Sequence, residues 1–198
     1  MFTEYAQQFS LLITDLQQVM PYALMIVGSL YVIQFLNLLV GYRLNLLGIY
    51  PRHPFGLVGV VFSPFLHGDF NHLFFNSVPL FFLLCFMLLM GWKTFYVVTA
   101  IIVVSSGLGT WLFGRKGIHV GASSLIMGYW SFLLVNAYYH PNLTSIFPAF
   151  ICVYYFGGLL FSLFPQAEKS SFEGHIFGFL SGLLAAYLLL FIPVSYLQ

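Results

Sequence analysis

Apolar runs close to twenty residues long recur along this chain, and nothing else in it constrains the fold as strongly. A helix rises 1.5 Å per residue, so about 20 apolar residues match the ~30 Å hydrocarbon core of a bilayer. The runs lack the period-2 alternation of barrel strands, which makes the expected class an all-α integral membrane protein. Only 6% of the 198 residues are charged, against roughly 25% in a soluble domain. A net charge of +1 without a clustered basic face argues against nucleic acid and leaves the lipid bilayer as the surrounding partner. Cys85 and Cys152 both fall inside apolar runs and read as packing residues, not as a disulfide framework. Residues 1–19 carry no Lys or Arg and no short apolar core before a small-residue site, so no cleaved leader is expected.

Taken in order, the runs predict spans at about 20–41, 70–90, 94–113, 123–139, 143–163 and 171–192. That is a six-transmembrane-helix bundle forming one membrane domain over residues 1–198, with both termini on one side. Met1 to Gln18, with Phe2, Tyr5, Phe9, Leu12 and Leu16 at helix-like intervals, reads as an interfacial lead-in. Tyr42 to about Ser63, which carries Arg43, Arg52, Pro51 and Pro54, reads as a loop lying partly in the interface. The stretch from Phe164 to Ser170 is a polar connection. The fourth span is short, roughly 25 Å long, so its start is expected to lie below the surface. Irregular backbone at that depth is tolerated only where protein buries it or water reaches it, and a water-filled cavity is expected at Ser123.

Parity brings scattered polar residues together. Spans two, four and six enter from the same face, and their first turns hold His72 and Asn76, then Ser123 and Ser124, then His175. Each group has a bland reading: His72 and Asn76, one helical turn apart, make a helix-packing hydrogen bond. Gly174, Gly178 and Gly182 make a small-residue face for close helix contact. Together they make a reaction centre. A serine hydroxyl becomes a nucleophile when an imidazole takes its proton, and His175 is the only histidine of the sixth span. The Asn76 amide, the His72 ring and the Ser123 N–H could then stabilise a tetrahedral oxyanion. Asp69 lies outside the second span and Glu173 points elsewhere on its helix, which favours a dyad over a triad. No H-E-x-x-H stands beside His67, His72 and His175 to suggest a metal site, and no internal repeat suggests a transporter.

The segments H-G-D-F-N-H-L-F-F-N (67–76), G-A-S-S (121–124) and G-H-I-F-G-F-L-S-G (174–182) resemble those of the rhomboid intramembrane serine proteases, in the same order. The resemblance implies a six-span rhomboid-like bundle without cofactor or metal, in which Ser123 is the nucleophile, His175 the general base and His72 and Asn76 the oxyanion ligands. His67 matches a further histidine of the motif, taken as structural. Single-span or other membrane proteins would be the substrates, and a bacterial inner (cell) membrane the location. The alternative is a non-catalytic membrane-protein chaperone or binding protein built on the same fold. Three residues depart from the family pattern: Ser124 for the Gly after the nucleophile, Met127 for an aromatic four residues after it, and Gly174 for the Ala before the histidine. Met127 thereby removes a ring that could hold His175 in place. Orientation has two conflicting warrants. Arg43, Arg52, Arg115, Lys116 and Lys169 lie on the catalytic side against Lys93 on the other, so the positive-inside rule points the site toward the cytoplasm. The family pattern points it outward, and we adopt the family orientation.

Overall fold

The computed structural model describes residues 2–164 and 172–191. Regular structure there is helical, apart from one isolated bridge between Ile49 and His119. The first helix, α1 (Phe2–Leu39), is longer than expected: lead-in and first span are one continuous rod of 38 residues. Its buried and half-buried positions, Leu12, Leu16, Val19, Ala23, Val27, Leu30, Gln34 and Asn37, recur every three or four residues and face the rest of the bundle as a narrow seam. No residue between 18 and 20 interrupts that seam, and Pro21 is accommodated within the helix. The rod ends where Gly41 and Tyr42 take left-handed φ of 64° and 61°, with the Tyr42 N–H closing onto the Asn37 carbonyl at 2.7 Å.

The connection after α1 is packed where a loop was expected. It holds 3₁₀ turns at Arg43–Leu47, Pro54–Leu57 and Ser63–Phe65 around the single turn α2 (Gly59–Phe62). Glycine makes this compaction possible, since a Cβ at Gly59 would fall on the Gly48 and Ile49 backbone. Arg52 clasps the C-terminal end of the helix Trp92–Phe113: its Nη1 donates to the Leu112 and Gly114 carbonyls at 3.1 and 2.9 Å. Carbonyls at a helix C-terminus lack intrahelical partners and favour a cation, which explains the choice of arginine. The Trp111 indole returns the tie by donating to the His53 carbonyl at 2.9 Å.

Four longer helices follow: α3 (Phe70–Leu89), α4 (Trp92–Phe113), α5 (Ser123–Tyr139) and α6 (Leu143–Phe156), the last continued by a 3₁₀ stretch Gly157–Leu163. The last described helix is α7 (Phe172–Leu189); positions 165–171 and 192, with Lys169 and the limits expected for the sixth span, lie outside the described residues. Among the described residues, five segments are long and apolar enough to cross a membrane: α1, α3, α4, Leu143–Leu163 and α7. Five of the six expected spans meet that length. The exception is α5, which has only 17 residues because residues 114–122 are spent in irregular backbone. It is also the central helix, with Ile126 through Leu133 all buried.

Close contact between α5 and α7 fixes that centre. A Cβ at Gly178 would fall on the Ser124 carbonyl, and one at Gly182 on the Gly128 carbonyl and Ser131 Oγ. Ser131 Oγ lies 2.8 Å from the Phe179 carbonyl across the interface and 3.1 Å from Gly128 O. Small residues four apart on both helices let backbone meet backbone, the usual means of joining helices where lipid removes the hydrophobic drive.

Candidate active site

The site begins with the cap of α3. Asp69 is the N-cap, its carboxylate accepting from the His72 N–H at 2.7 Å, so the carboxylate that sequence placed outside the span serves the backbone. This first turn directs His72 and Asn76 at the chain entering α5. Gly121 there has φ +126°, and a Cβ on it would lie 2.7 Å from His72 Cε1, 2.9 Å from His72 Nε2 and 3.5 Å from Asn76 Nδ2. Only glycine permits both that dihedral and that approach. The packed connection holds the segment in place: Gly121 N–H donates to Ser63 O at 2.9 Å, and Ile49 and His119 exchange two backbone hydrogen bonds.

Ser123 opens α5 directly after Ala122, an N-cap residue with no side-chain hydrogen bond. The first N–H groups of the helix therefore lack both intrahelical and capping partners. Ser123 and Ser124 are half-buried and line a crevice of ≈ 20 Å³ with Ser63, Thr110, His119 and Gly174. That is room for about one water, a smaller version of the cavity expected at Ser123. The two serines differ in setting, because Ser124 presents its backbone to Gly178 of α7. Asn76 is buried, and its Nδ2 has no hydrogen-bond partner among the described residues. A buried donor left unpaired costs about 1–3 kcal/mol.

His175 stands on the first turn of α7, and its Nδ1 lies 2.9 Å from the Ser162 carbonyl. A carbonyl only accepts, so Nδ1 carries the proton and, in the neutral ring, Nε2 carries the lone pair. The described hydrogen bonds include none between Ser123 Oγ and His175. Catalytic hydrogen bonds are often long before substrate binds and tighten in the complex.

Three contacts around this centre were not foreseen. Arg115, in the segment before α5, pairs with Glu173 through both carboxylate oxygens, with Nη2 to Oε2 at 3.3 Å, and sits 4.9 Å over the Phe172 ring. Glu173 is thus answered by Arg115, and the pair locks the two entering segments together. Its signal was an acid at the start of an apolar helix. The buried Met127 packs beside Ser162, with its sulfur 3.8 Å from the Ser162 hydroxyl. Third, His67 is fully buried with both ring nitrogens unpartnered among the described residues, its ring edge-on to His72 at 5.2 Å between centroids. Burial, reinforced by the neighbouring His72, pushes the His67 imidazole down to about 3, so it stays neutral near pH 7. Its carbonyl accepts from Asn45 at 3.1 Å, and Asn45 Oδ1 accepts from Asn37 at the end of α1. Among the described residues no group of three metal-ligating side chains comes together.

A family model described as the Rhomboid domain matches residues 54–191, from the packed connection to the end of α7. An uncharacterized protein of Mycobacterium bovis is 39% identical over 172 residues, covering 82% of this chain and 72% of its own length. An uncharacterized protein of Mycobacterium tuberculosis gives the same figures. One of Mycobacterium leprae is 33% identical over 169 residues, 81% of this chain and 67% of that protein. With its apolar helices and a match over most of its length, this multi-pass membrane protein belongs to the rhomboid family.

Proposed function

We propose that the protein is an intramembrane serine protease that hydrolyses a peptide bond in or near a substrate's transmembrane helix with a Ser123–His175 dyad. His175 Nε2 takes the Ser123 Oγ proton as the oxygen attacks the carbonyl carbon. The oxyanion is received by Asn76 Nδ2, the His72 ring and the Ser123 N–H. The imidazolium then protonates the leaving amine, and a water in the Ser123 crevice hydrolyses the acyl-enzyme by the reverse proton path. The observation that carries this reading is the buried Asn76 Nδ2, without a hydrogen-bond partner among the described residues and held with His72 against Gly121, two residues before Ser123. A fold kept only for packing would pair or discard that donor. Helical peptide bonds are shielded by their own hydrogen bonding, so the substrates are membrane proteins whose span unwinds locally, with a helix-breaking Gly or Pro near a small residue at the cut.

Cleavage of a single-span substrate in liposomes by wild type, Ser123→Ala and Ser124→Ala tests the reading, with fluorophosphonate labelling as a second readout. Ser123→Ala and His175→Ala lose both activities and Ser124→Ala keeps both. Labelling of Ser124, or of Ser123→Ala at the wild-type level, overturns the assignment of the nucleophile. A folded wild type that neither cleaves nor labels leaves the non-catalytic binding protein as the better reading.

The proposed location is a bacterial inner membrane with the site opening outward. Against the charge bias, Arg52 is engaged by the α4 carbonyls and Arg115 by Glu173, so these two charges are held by protein. Cysteines at positions 93 and 116, labelled from outside intact cells, decide the point: labelling at 93 alone reverses the orientation.

A further inference from the structure

The 3₁₀ stretch Gly157–Leu163 exists because Gly157 and Gly158 interrupt α6 and the chain tightens into a narrower helix. Carbonyls in the last turn of any helix lack an onward N–H partner. Ser162 O is one of these, and the donor it receives is His175 Nδ1 at 2.9 Å. The Ser162 hydroxyl faces two acceptors, Leu159 O at 2.6 Å and Met127 Sδ at 3.8 Å. Met127 is buried on α5, one helical turn beyond Ser123. Nucleophile helix, 3₁₀ stretch and base are therefore joined by one line of contacts: Met127, Ser162, His175.

Resting on the reading of His175 as the base, we propose that Met127 and Ser162 are positioning residues: Met127 packs the 3₁₀ stretch so that the Ser162 carbonyl locks His175 with its proton on Nδ1 and its lone pair on Nε2. The task that a ring four residues after the nucleophile would perform by packing on the imidazole is performed here by a main-chain hydrogen bond. A methionine suits the place because its flexible thioether fills an irregular gap beside the Ser162 hydroxyl, whose proton goes to Leu159 O at 2.6 Å.

Met127→Ala opens space beneath Ser162, whereas Met127→Leu keeps the volume and loses only the sulfur. Ser162→Ala keeps the carbonyl and loses the hydroxyl. Losing one hydrogen bond's worth of positioning corresponds to about a 3- to 10-fold change in rate. The expected order is a roughly tenfold lower kcat for Met127→Ala, about threefold for Ser162→Ala and near-wild-type turnover for Met127→Leu, with KM unchanged throughout. Nitrogen-15 NMR of labelled histidine in the detergent-solubilised protein, with His175 assigned by difference from His175→Ala, gives a readout independent of turnover. Wild type and Met127→Leu show the Nδ1–H tautomer alone, and Met127→Ala shows a mixture. An Nε2–H tautomer in wild type, an unmixed Nδ1–H tautomer in Met127→Ala, or a fall in kcat that Met127→Leu shares in full overturns the inference. A wild type that neither cleaves nor labels overturns the protease reading instead, and the tautomer spectra then still decide whether this carbonyl holds the ring.

Discussion

The helices α1 and α7 are both apolar, both contain glycine and both reach across the bundle, yet they are held by opposite means. α1 lays a seam of side chains against its neighbours, and a Cβ built on Gly28 would meet no atom within 4 Å. α7 presses its own backbone onto α5, where Gly178 and Gly182 leave no room for a methyl group. The difference follows from what each must hold. Side-chain interdigitation tolerates sub-ångström adjustment, which suffices for a supporting rod. On the proposed reading, the nucleophile on α5 and the base on α7 need a fixed separation, and backbone contact supplies it with the fewest adjustable torsions. The family match begins at residue 54, so the tightly built half lies inside it and α1 outside.

The sharpest way to break this contrast is to place the same side chain on each helix. Gly182→Leu should unfold the bundle or lower its thermal midpoint by tens of degrees, since overpacking alone costs typically 1–3 kcal/mol and here the obstacle is backbone. Gly28→Leu should leave the midpoint within a few degrees. Equal losses, measured by thermal unfolding in detergent, would show that glycine content and not helix contact sets the tolerance.

Asn76→Ala sharpens the contrast within the tight half, by separating chemistry from packing. Turnover should fall ~10²–10³-fold while the thermal midpoint holds or rises, because Asn76 Nδ2 has no hydrogen-bond partner to lose among the described residues. A fall in stability at unchanged turnover would return Asn76 to a packing role.

His67 sits at the joint between the two halves, tied by its carbonyl through Asn45 toward α1 and by its ring to His72. Its imidazole is held far below the unfolded value of about 6.5. As pH falls from 6.5 toward 3 the unfolded chain binds a proton that the folded one refuses, so this residue removes stability across that window, by at most about 1.4 kcal/mol per pH unit. His67→Phe keeps an aromatic edge against His72 and carries no titrating group. The stability difference between wild type and His67→Phe should tilt toward the variant as pH drops through this range; a difference that stays flat with pH refutes the account.

The smallest expected effect is that of Gly28→Ala, which gains helix propensity at an open position. It should stabilise α1 by at most ~1 kcal/mol with no change in kcat or KM. A measurable loss of activity would mean that α1 communicates with the site more directly than its loose packing suggests.

Much of the architecture was legible in the residues. Apolar runs of the right length located the long helices, because the bilayer imposes a length that the sequence cannot hide. The four-residue repeats His72/Asn76 and Gly174/Gly178/Gly182 told which side chains share a face, because helical periodicity is local. The same reasoning stopped at α1. Met1 to Gln18 reads as polar enough to lie in the interface, yet a seam of Leu12, Leu16 and Val19 continues the rod into the first span.

What the sequence determined by itself was therefore the class of environment and which side chains of α3 and α7 share a helix face. Only the tertiary structure decided that the connection after α1 packs as a clasp on α4, that α5 is a short buried helix among longer ones, that Glu173 is answered by Arg115, and that the Ser162 carbonyl holds His175. Each of these joins residues far apart in the chain or uses a main-chain atom. A carbonyl carries no side-chain identity, so a sequence cannot announce which one will face an imidazole; that is settled by how the 3₁₀ stretch Gly157–Leu163 lies against the start of α7.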